Sequence, residues 1–213
     1  MTEFPKIILA SQSLRRNELL AASGVPFKAV APDVEEIDIP GRPEDTVRHN
    51  SETKAEWGAR SYPDSVIIAA DTVVFLDRIM GKPETMTRAR DMLVKLSGRT
   101  HKVYTAVTVI LPSGGSTATR VAISRVTMKT LDDEVISGYF RLVNPLDKAG
   151  GYAIQEYGEM LIDKCEGYFS NVIGLPMETL GEMMGEYPET RRYSEMVINK
   201  LRRSDYVDQI YEG

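Results

Sequence analysis

Lys6-Ile7-Ile8-Leu9-Ala10-Ser11-Gln12-Ser13-Leu14-Arg15-Arg16-Asn17-Glu18-Leu19-Leu20 decides how the chain is read. Ile7 to Ala10 is the short apolar run of a strand covered on both faces. Ser11 and Ser13 each have the side chain that caps a helix N-terminus. Leu19 and Leu20 supply the buried side of the helix that follows. Arg15 and Arg16 are unusual in a first helical turn, where the helix dipole disfavours cations by roughly 0.3–1 kcal/mol each. Free N–H groups, a dipole and two guanidinium groups at one point suit an anion, phosphate above all. The alternative is a solvated arginine pair on the surface.

Outward from that stretch, the 213 residues are 42% hydrophobic and 27% charged, enough for one sizeable core. No apolar run approaches the roughly 18 residues of a membrane helix. Met-Thr-Glu-Phe-Pro-Lys reads as neither a signal nor a transit peptide, so the expected setting is soluble and cytoplasmic. Cys165 stands alone and His49 and His101 are the only histidines, which leaves little for a thiol or imidazole metal site. A net charge of −5 argues against a nucleic-acid surface.

Val66 to Phe75 is the strongest strand, with Asp71 in its middle. An ionised carboxylate there must meet cations, a metal or several donors, because burying it alone is costly. Pro43-Glu44-Asp45 opens a helix that places Val47, Ser51, Lys54 and Gly58 near one another, so Lys54 either points inward or snorkels to solvent. Asp33, Glu35, Glu36 and Asp38 precede it, as a magnesium site or a solvated loop. Gly81-Lys82-Pro83 presents a lysine on a turn. Thr85 or Thr87 starts the next helix, and Thr130 with Asp133 resembles a capping box for another. Val103 to Leu111 and Val121 to Met128 flank a Gly-Gly hairpin, which makes the sheet mixed. Lys164 to Gly167 reads as a turn. Pro176 suits the first turn of a helix over Met177 to Met184. From Glu186 the chain is polar and charge-mixed, which suggests an added helix or a partly ordered tail outside the core. The glycines form neither a dinucleotide fingerprint nor a Walker loop.

Set side by side, Ala10 to Leu20, Ala70-Asp71-Thr72, Gly81-Lys82-Pro83, Asp147-Lys148-Ala149-Gly150-Gly151-Tyr152-Ala153-Ile154-Gln155 and Gly174-Leu175-Pro176 closely resemble the Maf family of nucleotide pyrophosphatases. The likeness spans about residues 5 to 185, leaving 186–213 as a C-terminal extension. Leu14 stands where the family usually has proline, and Gly151 where alanine is more usual. The resemblance implies an α/β fold with an elongated mixed β-sheet, flanking helices and two lobes around a nucleotide cleft, the Maf/ITPase-like arrangement. It implies hydrolysis of dTTP and UTP to the monophosphate and pyrophosphate with Mg²⁺ or Mn²⁺, and it allows a homodimer; no nucleic acid or membrane is implied as a partner. Asp71 matches the catalytic acid. Arg15, Arg16, Lys54 and Lys82, with Ser11 and Ser13 in the loop, match the substrate-binding positions. Glu35 and Asp71 match the metal positions, and Arg15, Thr72 and Gln155 those linked to base choice. Two other readings stand beside this one: a 7-methyl-GTP pyrophosphatase, and a nucleotide-binding regulator of septum formation without turnover.

Overall fold

The apolar runs become strands of one sheet, and period-two alternation decides what each face of it meets. A computed structural model describes residues 5–202. The N-terminal residues 1–4 and the end of the extension, 203–213, lie outside the described residues. The elements run β1 (Ile7–Ala10), α1 (Leu14–Ala22), β2 (Phe27–Val30), α2 (Pro43–Ser61), β3 (Val66–Phe75), β4 (Ile79–Met80), α3 (Met86–Leu96), β5 (Thr100–Ile110), β6 (Thr117–Met128), α4 (Asp133–Leu142), β7 (Ile162–Glu166), α5 (Phe169–Ile173), α6 (Met177–Gly185) and α7 (Arg191–Leu201). The sheet has seven strands in the order β2-β1-β3-β5-β6-β7, with β4 paired to β3. β1 runs parallel to both β2 and β3, while the pairs β3–β4, β3–β5, β5–β6 and β6–β7 are antiparallel. The mixed α/β sheet expected from the sequence is therefore borne out.

On one face Ile7, Leu9, Val66, Ile68, Ala70, Val107 and Val109 pack with Leu19 and Leu20 of α1 and with Leu180, Met183 and Met184 of α6. On the other, Ile8, Ala10, Ile67, Ala69 and Ile110 pack with Ala55 of α2. Gly58 lets α2 lie this close, since a Cβ there would sit 2.7 Å from Ile67 Cγ2. Farther along β3 and β5, Val74 and Val103 join a second cluster with Leu93 and Leu96 of α3 and Ile136 and Tyr139 of α4.

Three local expectations are corrected. Residues 164–167 do not form the expected turn: Ile162–Glu166 is an edge strand paired with β6, the backbone finding ladder partners that composition does not reveal. Asp132, not Thr130, caps α4, its carboxylate accepting from Val135 N–H at 2.8 Å. The extension is helical over Arg191–Leu201, but it is not outside the core. Tyr193 and Val197 are buried against α6. Thr190 Oγ1 and Ser194 Oγ donate to the carbonyls of Met184 and Gly181 at 2.6 Å each. A narrow apolar stripe, Tyr193 and Val197 at i and i+4, suffices to seat a short helix whose remaining residues are polar.

Candidate active site

Parity along β3 delivers consecutive residues to opposite sides of the sheet. Asp71 shares a face with Ile67 and Ala69 and therefore meets α2. There Lys54 Nζ donates to Asp71 Oδ1 at 2.6 Å and Asn50 Nδ2 donates to Oδ2 at 3.1 Å. Asn50 and Lys54 are one helical turn apart, so α2 grips both carboxylate oxygens with a single face. Each oxygen retains a lone pair for a further partner. Lys54 is buried, and its second partner is Glu36, at 2.8 Å. Burial works against the Glu36 carboxylate, but Lys54, and after it Lys82 and Arg16, outweigh that and hold it below the ordinary carboxylate range.

Thr72 faces the other way. Its Oγ1 accepts from Arg16 Nη2 at 3.0 Å and shares a hydrogen bond with Thr105 Oγ1 at 3.0 Å. A hydroxyl has one donor and two acceptor sites, so little of Thr72 is left for a ligand. Arg16 is similarly committed: Nε donates to Gly174 O at 2.7 Å and Nη1 reaches Ser11 Oγ at 3.5 Å. Burial pushes this guanidinium below its usual value, with Asp71 and Glu36 pulling it back part of the way. Arg15 crosses the cleft, donating to Asp147 Oδ2 at 3.0 Å and Asp147 O at 3.3 Å. Lys148 and Arg15 hold the Asp147 carboxyl below its ordinary value against the opposing effect of burial. Ser13 caps α1, its Oγ accepting from Arg16 N–H, and Ser11 Oγ in turn accepts from Ser13 N–H.

The far wall is residues 149–155. Gly150 adopts φ +73°, and a Cβ there would meet Val74 at 3.1 Å. That conformation lets Gly150 N–H donate to Gly81 O at 3.1 Å, which ties the Lys82 turn to this wall. Gln155 ends it, and its Oε1 is buried without a hydrogen-bond partner.

These residues enclose one cleft of ≈ 1050 Å³, at the upper end of the roughly 300–1,000 Å³ usual for small-molecule sites. Ser11, Ser13, Arg15, Arg16, Lys54, Asp71, Thr72, Lys82 and Gln155 all line it, so the structure brings together residues spread over most of the chain. Glu35 is the exception. Pro32, Val34, Glu36, Ile37 and Asp38 line the cleft, whereas Glu35 does not and is exposed. Glu36 takes its place. Asn50 also escaped sequence reasoning, although its i, i+4 spacing from Lys54 was a usable signal. Asp147 and its tie to Arg15 are legible only in three dimensions.

Among the described residues no group of three or more His, Cys, Asp or Glu side chains could hold a metal ion by itself. What the cleft offers is two carboxylates, Asp71 and Glu36, on one ammonium. A pair of hard oxygen donors fits a magnesium-type ion that takes its other ligands from water and substrate phosphates.

An α/β protein with a cation-lined cleft and a buried acid–lysine pair on its wall is the class that fold and site define. The chain belongs to the Maf family: the family model described as Maf-like protein matches residues 6–187. It is similar to a dTTP/UTP pyrophosphatase of Akkermansia muciniphila, with 47% identity over 175 residues, 81% of this chain and 92% of the relative. A dTTP/UTP pyrophosphatase of Thermotoga maritima is 41% identical over 184 residues, 85% of this chain and 89% of that one. Among solved structures, the Staphylococcus aureus Ham1 protein aligns with a TM-score of 0.42 and 16% identity, over 58% of this chain and 71% of that one.

Proposed function

We propose that the chain hydrolyses dTTP and UTP to the nucleoside monophosphate and pyrophosphate. The observation that carries this is the Asn50–Asp71–Lys54–Glu36 cluster beside Arg15 and Lys82 in one cleft. Cations neutralise a triphosphate, and a carboxylate with lone pairs to spare is where water loses its proton. Water attacks the α-phosphorus, its proton passes to Asp71, and the bond to the bridging oxygen of the β-phosphate breaks. Lys82 and Arg15 take the charge that develops on the departing pyrophosphate. Asp71 and Glu36 would hold a divalent metal, which supplies further charge neutralisation when bound. Membership of the Maf family and the names of the relatives support this reading.

Base choice falls to Gln155. Its orphaned Oε1 needs a donor, and uracil and thymine present N3–H next to the O2 and O4 acceptors. Cytosine has no N3–H, so the same amide orientation leaves a polar group unpaired, at about 1–3 kcal/mol, or roughly 5- to 150-fold. Thr72, with its hydroxyl committed, contributes by shape. The test is a panel of dTTP, UTP, CTP, purine triphosphates and 7-methyl-GTP with Mg²⁺ or Mn²⁺. Preference for dTTP and UTP supports the reading. Preference for 7-methyl-GTP, or binding without turnover, overturns it in favour of one of the two other readings.

A further inference from the structure

His101 is buried, is distant from the catalytic cluster in the sequence, and has no part in the chemistry above. Its Nε2 lies 2.6 Å from the Tyr152 hydroxyl, and the two rings meet edge to face at 81° with centroids 5.5 Å apart. Both residues are almost fully enclosed. The direction of the bond follows from counting partners. His101 Nδ1 has none. If Nε2–H donated, the phenol proton and the Nδ1 lone pair would both be left over. If the phenol donates to Nε2, only Nδ1–H is orphaned. The second arrangement leaves fewer buried groups unsatisfied and is the favoured one.

Tyr152 begins the run Tyr152-Ala153-Ile154-Gln155, every member of which lines the cleft. The same run is held once more by a phenol. Tyr139 OH accepts from Ala153 N–H at 2.9 Å and donates back to Ala153 O at 3.4 Å. Just before it, Gly150 and Gly151 both lie at positive φ, where the backbone is least restrained by its own side chains. The glycines themselves are tied by Gly150 N–H to Gly81 O and Gly151 N–H to Lys148 O, and beyond them the wall is held by two buried hydroxyls. The opposite side of the base pocket is fastened from the same strand. Thr105, four residues after His101 on β5 and on the same face, holds Thr72. At about 3.3 Å per residue, the two fastenings sit roughly 13 Å apart on one rigid strand.

We propose that His101 is a positioning residue for base choice: through Tyr152 it sets where Gln155 stands, with β5 as the bar from which both sides of the base pocket hang. This rests on the reading that Gln155 faces the base.

The experiment compares kcat/KM for dTTP and for CTP in the parent, His101→Phe, Tyr152→Phe and the double variant. The ratio of the two constants does not depend on how much of each preparation is folded, so loss of stability alone leaves it unmoved. Each single change is expected to lower the dTTP-to-CTP ratio about 5- to 10-fold, roughly the worth of one hydrogen bond. The double variant is expected to lower it no further than either single one, because both remove the same link. His101→Gln, with an amide that can still pair with the phenol, should recover most of the ratio. If His101→Phe does not fold, Tyr152→Phe, which deletes one oxygen, decides alone. A selective parent with equally selective single variants overturns the inference and spares the base-choice reading. Effects that multiply in the double variant overturn it as well. A parent without preference overturns the base-choice reading and the inference with it.

Discussion

Lys54 and Asp71 are in direct contact, Nζ 2.6 Å from Oδ1, with about 6% and 7% of their side chains exposed. Few isolated charges survive such burial; this pair does because each neutralises the other and Asn50 fills a further site on the carboxylate. Removing Lys54 strands the buried carboxylate, whereas Lys54 without the Asp71 charge still has Glu36 at 2.8 Å. Lys54→Met is expected to lower the free energy of unfolding by about 3–5 kcal/mol, together with a loss of turnover. Asp71→Asn preserves shape and should stay folded while losing turnover by roughly 10²–10⁴-fold. Chemical denaturation and steady-state kinetics on both variants check this. A folded Asp71→Asn as active as the parent would remove Asp71 from the chemistry.

The two adjacent arginines are expected to behave differently. Arg15 is tied to Asp147 across the cleft, and losing it should raise KM by the equivalent of about 1.5–3 kcal/mol with little change in melting temperature. Arg16 holds Gly174 O and Thr72 Oγ1, so Arg16→Ala should lower the melting temperature first. Equal thermal melts for the two variants would refute this division.

Acid should weaken the fold before most carboxylates titrate. Burial lowers the His101 imidazole to about 4 from 6.5. Between those two values the unfolded chain binds a proton that the folded one does not. Stability from this group is therefore intact above about pH 6.5 and is lost as pH falls toward 4, by roughly 2–4 kcal/mol. Urea midpoints from pH 7 to pH 4 measure it. His101→Phe should flatten that slope, and an unchanged slope would contradict the assignment.

Truncation after Gly185 removes Tyr193 and Val197 from the core, and with them the Tyr193 hydroxyl bonded to Pro5 O at 2.9 Å. Each buried side chain of this kind contributes about 1.5–3 kcal/mol. The truncated chain should melt well below the parent, and whatever fraction folds should keep its turnover, since every residue of the site precedes 186. An equal melting temperature would return the extension to the periphery.

How much of this was legible beforehand depends on how local each signal is. Val66 to Phe75 declares itself as a covered strand by composition, and Asp71 stands out within it because burying an unpaired charge is costly. Arg15 and Arg16 stand out through the helix dipole. By contrast, Glu35 and Glu36 are indistinguishable in the sequence, and only the folded cleft shows that Glu36 lines it and Glu35 does not. The strand over Ile162–Glu166 forms because β6 offers an open edge, a fact about distant residues. The seating of α7 depends on the groove beside α6, and only the i, i+4 pair Tyr193 and Val197 hints at it. Asp147 reaches Arg15 across 132 positions, and no periodicity in the sequence could have joined them.

The central claim concerns which phosphorus is attacked, and water enriched in ¹⁸O reads it directly. The enzyme is given dTTP and a divalent metal in labelled water, and the products are separated and weighed by mass spectrometry. One ¹⁸O in dTMP and none in pyrophosphate is the expected result, since the water joins the α-phosphorus. Label in pyrophosphate, or products of dTDP and free phosphate, would contradict it.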